Sequence, residues 1–168
     1  FVDQMGLREV HRDGSSVYLH TWDDYQSWTV RLIERDAAGI GRTFLRAASP
    51  QAVERLAALV GPVRVVKDVH NLGEVRVFAD PDGHEMGVYW DVEWYRADDT
   101  DRPSLKNQAA AYPGRGANLR RLDHVNYLTA DVPATAAFLS DALGARCTEQ
   151  IVKDDGSPQA IWYSVGHK

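Results

Sequence analysis

The reactive side chains of this sequence are six histidines, a lone cysteine and an excess of carboxylates over cations. Cys147 has no second thiol, so neither an internal disulfide nor an all-cysteine metal site can form, and any metal must rest on histidine and carboxylate. His124, in Arg121-Leu122-Asp123-His124-Val125-Asn126, falls in a segment expected as a strand over 122–128. It offers one imidazole ligand. On pattern alone the favoured reading is a half-buried strand histidine satisfied by a neighbouring strand. His11 and His20 are expected to face each other across a hairpin on a solvated face, His70 to sit in a loop before Asn71, and His84 to follow the turn Asp80-Pro81-Asp82-Gly83. None of these is paired at helical ligand spacing, and His167 is given no role. Trp90, Trp94 and Tyr95 read as packing residues on one strand and its exit.

The elements that must position these groups follow from periodicity. Val17, Leu19 and Thr21 alternate with Tyr18, His20 and Trp22, and the same period of two returns through Trp28, Val30 and Leu32. Asp13-Gly14-Ser15 supplies the tight turn that pairs Leu7 to His11 with Val17 to Trp22. Ser49-Pro50 caps and opens a helix carrying Val53, Leu56, Ala57 and Val60, which Gly61-Pro62 ends. Strands are expected at Val63 to Val66, Glu74 to Phe78 and Glu85 to Val92, giving the order β-β-β, then β-α-β-β-β. From Asp98 to Arg120 the apolar pattern fades among Pro103, Pro113, Gly114 and Gly116, as in a linker. Asp131-Val132-Pro133 then opens a second helix, with Ala136, Leu139 and Leu143 on one face, and Gly144 closes it.

Composition narrows the function classes. The 168 residues are 44% hydrophobic and 26% charged, with net charge −5 and the two signs interleaved. That is a globular composition for one domain or slightly more, without the basic stripe that a phosphate backbone requires, so nucleic acid is not an expected partner. No apolar run reaches the length of a membrane span and no leader pattern opens the chain, so a cytoplasmic protein without a membrane partner is expected.

The chain also repeats itself. Asp141-Ala142-Leu143-Gly144-Ala145-Arg146 matches Asp3-Gln4-Met5-Gly6-Leu7-Arg8, and Asp155-Gly156-Ser157 later matches Asp13-Gly14-Ser15. Residues 122–168 are therefore expected to open a second domain that continues past Lys168, and Phe1 to lie inside a helix.

Four stretches together carry a resemblance over the whole chain: Met5-Gly6-Leu7-Arg8; Asp80-Pro81-Asp82-Gly83-His84; Leu105-Lys106-Asn107-Gln108 with Tyr112-Pro113-Gly114-Arg115-Gly116; and Arg121 to Asn126. In this order they resemble the type I extradiol dioxygenases of the vicinal oxygen chelate (glyoxalase/bleomycin resistance/dihydroxybiphenyl dioxygenase-like) superfamily. The resemblance implies an α+β fold of paired βαβββ modules. Residues 1–97 would be an N-terminal module pair without metal and with its first strand missing, 98–121 a linker, and 122–168 the truncated start of the C-terminal, iron-binding module pair. It implies Fe(II), with Mn(II) as the alternative ion, held by two His and one Glu, and His124 matches the first of these. The other ligands and the acid-base residues are expected past Lys168, and no residue is assigned to an organic cofactor. Arg42 and Gly87 occupy the positions where a module of this superfamily places a His and a Glu ligand, so the first module pair is expected to hold no metal and its two modules to share one curved sheet.

The activity so implied is ring cleavage of catechol or a substituted catechol by O2, next to the diol, to a muconic semialdehyde in aromatic degradation. The expected partners are the catecholic substrate, O2 and further copies in a homo-oligomer. Two rivals share the superfamily: a ligand-binding protein of the drug-resistance type that does no chemistry, and a glyoxalase-type metal-dependent isomerase or lyase. A linker followed by a new repeat speaks against the first, and Arg42 with Gly87 against the second.

Overall fold

The computed structural model describes residues 1–166; His167 and Lys168 lie outside the described residues. The chain forms two compact units. One comprises Phe1–Gly39, His70–Leu72 and Val92–Val125, and the other Ile40–Val69, Gly73–Asp91 and the chain from Asn126 on.

In the first unit, β1 (Arg8–Asp13), β2 (Ser16–His20) and β3 (Val30–Ile33) form an antiparallel sheet in that order. The β1–β2 hairpin closes where expected, with Asp13 opposite Ser16 and Gly14 at φ +51, a conformation that costs glycine nothing. The tight turn, with Asp13 opposite Ser16, sets a register that puts His11 opposite Tyr18 and, past a bulge between Glu9 and His11, Arg8 opposite His20. The two histidines therefore do not face each other as expected, and His20 is not on a solvated face. His20 is 2% exposed, lies opposite Arg8 and stacks on Tyr95 at 3.9 Å. His11 stacks instead on His70 at 3.7 Å.

The second unit contains a complete βαβββ module: β4 (Arg42–Arg46), α1 (Pro50–Leu59), β5 (Arg64–Val66), β6 (Val75–Ala79) and β7 (Glu85–Tyr89). The sheet order is β4-β7-β6-β5, with β4 and β7 parallel and the other pairs antiparallel. Ser49 caps α1, its side chain accepting the Ala52 N–H at 3.1 Å, a bond worth about 1 kcal/mol. Val53 and Leu56 of α1 bury against Phe78, Met86 and Val88, each contributing roughly 1.5–3 kcal/mol. α2 (Val132–Leu143) lays Phe138, Leu139, Ala142 and Leu143 on the same core, and β8 (Arg146–Val152) with β9 (Pro158–Ser164) makes a separate hairpin.

Two expectations fail. β1–β3 and β4–β7 are separate sheets, because among the described residues no backbone ladder joins a strand of one to a strand of the other. No strand forms over 122–128, since a strand exists only through a partner's backbone and none of the described strands pairs with this segment.

The repeat is written in hydrogen bonds as well as letters. Gly6 donates to the Val2 carbonyl at 3.0 Å and Leu7 to that of Phe1 at 3.2 Å, while Gly144 donates to Ser140 at 3.1 Å and Ala145 to Leu139 at 3.0 Å. Gly6 and Gly144 both have positive φ, +77 and +63, as left-handed helix caps do. Each cap leads into a strand that bulges at the matching place, between Glu9 and His11 in β1 and between Cys147 and Glu149 in β8. Phe1 to Met5 form a turn, not a helix, yet the bonds that close it are those closing α2.

Candidate metal-ligand segment and its anchor

His124 is exposed, and its Nδ1 lies 2.8 Å from an Asp123 carboxylate oxygen. A carboxylate can only accept, so Nδ1 is the donor here; in a neutral imidazole Nε2 then keeps its lone pair, the arrangement in which a ligating imidazole is oriented by a second hydrogen bond. One such nitrogen suits one position of a divalent-metal site of the His/carboxylate type.

What fixes this segment is a residue the sequence reading did not single out. Asp23, just beyond the end of β2, is fully buried. Its backbone N–H donates to the Arg120 carbonyl at 3.2 Å, one carboxylate oxygen accepts the Ala109 N–H at 3.0 Å, and the other accepts from Arg120 at 2.6 Å and Arg121 at 3.0 Å. Arg121 also donates through Nε to the Asp23 carbonyl at 2.8 Å. Burial pushes the Asp23 carboxyl up, but the Ala109 N–H and the two guanidinium groups outweigh it and hold the group below the ordinary aspartate value. Both arginines also lie over aromatic rings, Arg120 over Trp22 at 5.3 Å and Arg121 over Tyr25 at 5.1 Å.

The stretch read as a linker is thus bound along its length. Tyr25 donates to the Asn107 carbonyl at 2.7 Å, Trp22 Nε1 to the Asn118 side-chain oxygen at 2.9 Å, and Ala117 N–H to the Gln4 carbonyl at 3.0 Å. Arg8 pairs with Asp101. Backbones touch where Gly6 meets Gly116: a Cβ on Gly116 would come within 2.3 Å of the Gly6 nitrogen, and one on Gly6 within 2.5 Å of the Arg115 oxygen. Three of the stretches that carry the family resemblance therefore meet in one unit. The cavity lined by Gly6, Arg8, His20, Trp22, Tyr95 and Pro113 measures about 10 Å³, the space of a single water, so it is no pocket for an aromatic substrate.

Arg42 and Gly87 lie on the paired strands β4 and β7, with Phe44 opposite Gly87. Arg42 donates to Glu85 at 2.8 Å, and a Cβ on Gly87 would meet the Arg42 Cδ at 3.0 Å and the Val75 Cγ1 at 2.9 Å. The space a carboxylate side chain would need at 87 is filled by the Arg42 stem and its neighbours.

A second group of metal-capable atoms, missed in the sequence, is Asp80, Asp82 and His84. Its atoms are engaged in a turn. One Asp80 oxygen accepts the Asp82 and His84 N–H groups at 3.0 and 2.8 Å, and the other faces His84 Nδ1 at 2.8 Å. Asp82 accepts from Thr129, Ala130 and Thr135. The cluster locks the turn between β6 and β7 to the start of α2.

No family model matches the chain. It is 34% identical over 172 residues to a metapyrocatechase from Geobacillus stearothermophilus, covering 99% of this chain and 52% of that protein. It is 30% identical over 171 residues to a manganese-dependent 2,3-dihydroxybiphenyl 1,2-dioxygenase from Geobacillus genomosp. 3, covering 98% and 54%. The chain thus spans about half the length of the curated relatives it matches. Among solved structures, a 2,3-dioxygenase from Pseudomonas sp. KL28 aligns with TM-score 0.85 at 23% identity over 99% of this chain and 60% of that one. A variant of homoprotocatechuate 2,3-dioxygenase from Brevibacterium fuscum aligns with TM-score 0.79 at 25% identity over 96% and 44%.

Proposed function

Because the chain belongs, over the half of those enzymes that it spans, to the type I extradiol dioxygenases of the vicinal oxygen chelate superfamily, we propose that the whole protein cleaves catechol or a substituted catechol next to the diol, using O2. The observation that carries this reading is His124, with Nδ1 engaged by Asp123, on a segment held by buried Asp23. We read His124 as one ligand of a divalent metal, Fe(II) in preference to Mn(II), although one relative is named as manganese-dependent. The metal would act as a Lewis acid and redox centre bringing the diol and O2 together. This chain's own contributions are to supply Nε2, to keep the proton on Nδ1 and to hold the segment still.

The domain reading that goes with this takes residues 1–97 as the metal-free module pair, 98–121 as the connector and 122–168 as the opening of the metal-binding pair. The copied cap, bulge and hairpin support it. The filled position at Arg42 and Gly87 supports a metal-free first pair and speaks against the glyoxalase-type alternative. Among the described residues no helix is long and apolar enough to cross a membrane; a cytoplasmic homo-oligomer is part of the proposal. The test is His124→Ala in the whole protein, which should lose bound metal and ring cleavage together. Retention of both would refute the assignment.

A further inference from the structure

We infer that Asp23 is a positioning residue for the metal site: it pins Arg120 and Arg121 so that His124 is presented within a short, fixed reach. The inference rests on His124 being a ligand. Without the pin, the nearest upstream anchor is Asn118, whose side-chain oxygen accepts from Trp22, and a six-residue tether to His124 extends roughly 20 Å. With Arg121 fixed on Asp23 the tether is three residues, roughly 10 Å. The volume open to the imidazole shrinks with the cube of the reach, by a factor on the order of ten, and its effective concentration at the metal rises in proportion.

The bonding is built for this and not for surface solubility. Asp23 is fully buried, while its arginine partners have half-exposed side chains, so the fixed point lies in the first unit's core and the moving part is the strap. Asp23 accepts on both carboxylate oxygens and on its carbonyl, so the strap is held against rotation as well as translation. A charged hydrogen bond to a buried carboxylate is among the stronger available.

The experiment uses the whole protein loaded with metal and follows metal release to an excess of chelator, with thermal unfolding in parallel. Asp23→Asn keeps the side-chain shape and the backbone bonds but removes the charge that draws both guanidinium groups. Arg121→Gln changes only the half-exposed partner and is the variant to rely on if Asp23→Asn does not fold. Each folded variant should release metal between about three and ten times faster than wild type, the upper figure being the full loss of the tether advantage. The absorption bands of the Co(II)-substituted protein should shift in the same variants, since they report ligand geometry and a merely structural role leaves them unmoved. His124→Ala separates the layers. If it keeps its metal, the ligand reading falls; if it loses metal while both clamp variants release at the wild-type rate with unchanged Co(II) bands, the positioning role of Asp23 is overturned.

Discussion

Replacing Gly116 by alanine isolates the backbone crossing that seats the strap. Gly114 and Gly116 have nearly the same positive φ, +70 and +66, so an alanine at either meets the same left-handed penalty, about 1–2 kcal/mol, and the same small entropic gain in the unfolded chain. Their surroundings differ. A Cβ at Gly114 has nothing within 4 Å, whereas one at Gly116 would lie 2.3 Å from the Gly6 nitrogen and 2.7 Å from the Gly6 Cα. These are backbone atoms and cannot rotate aside, so the strap must move. Overpacking of this kind adds about 1–3 kcal/mol. Gly116→Ala should thus unfold more easily than Gly114→Ala by that amount in denaturant titrations, or by roughly 2–12 °C in melting temperature. A difference below about 0.5 kcal/mol would mean that the crossing is loose and the strap is held by its polar bonds alone.

Stability should also depend on pH through Asp23. Its carboxyl is held below the ordinary 3.8, so its contribution is complete above that value and is lost as pH falls through the lower, folded one; in Asp23→Asn this part of the acid unfolding curve should vanish, and an unchanged curve would contradict the clamp. Asp80→Ala should cost roughly 1.5–3 kcal/mol, because the buried carboxylate closes the turn through three contacts. Added Mg²⁺ or Ca²⁺ should leave wild-type melting unchanged, and a cation-dependent rise abolished by Asp82→Asn would turn this turn lock into a metal site. Tyr127→Phe removes the hydroxyl bonded to Thr43 and should cost about 0.5–1.5 kcal/mol; the Tyr127 phenol, pushed up chiefly by burial, should titrate above 10.0 in an absorbance titration.

What could be read from the letters was whatever is encoded within a few residues. Ser49-Pro50, Asp131-Val132-Pro133 and Gly144 mark helix ends through bonds to neighbours three or four residues away, and both helices lie where these signals put them. The repeat was legible for the same reason, since a glycine cap and an Asp-Gly turn are local chemistry. The cross-strand register was not, and it replaces the expected His11–His20 pair by two separate stacks. Asp23 was invisible because its partners at 109, 120 and 121 share no period with it. The strap around them looked like a linker because its order comes from side chains of another segment, not from its own apolar pattern. His124 could be picked out only by resemblance, and its hydrogen bond to Asp123 only from coordinates.

The most direct test of the central claim is to supply the metal-loaded whole protein with catechol and O2 and identify the product. The account predicts 2-hydroxymuconic semialdehyde, formed with O2 consumed in equal amount to catechol. Unreacted catechol, or muconate from cleavage between the two hydroxyl-bearing carbons, would contradict it.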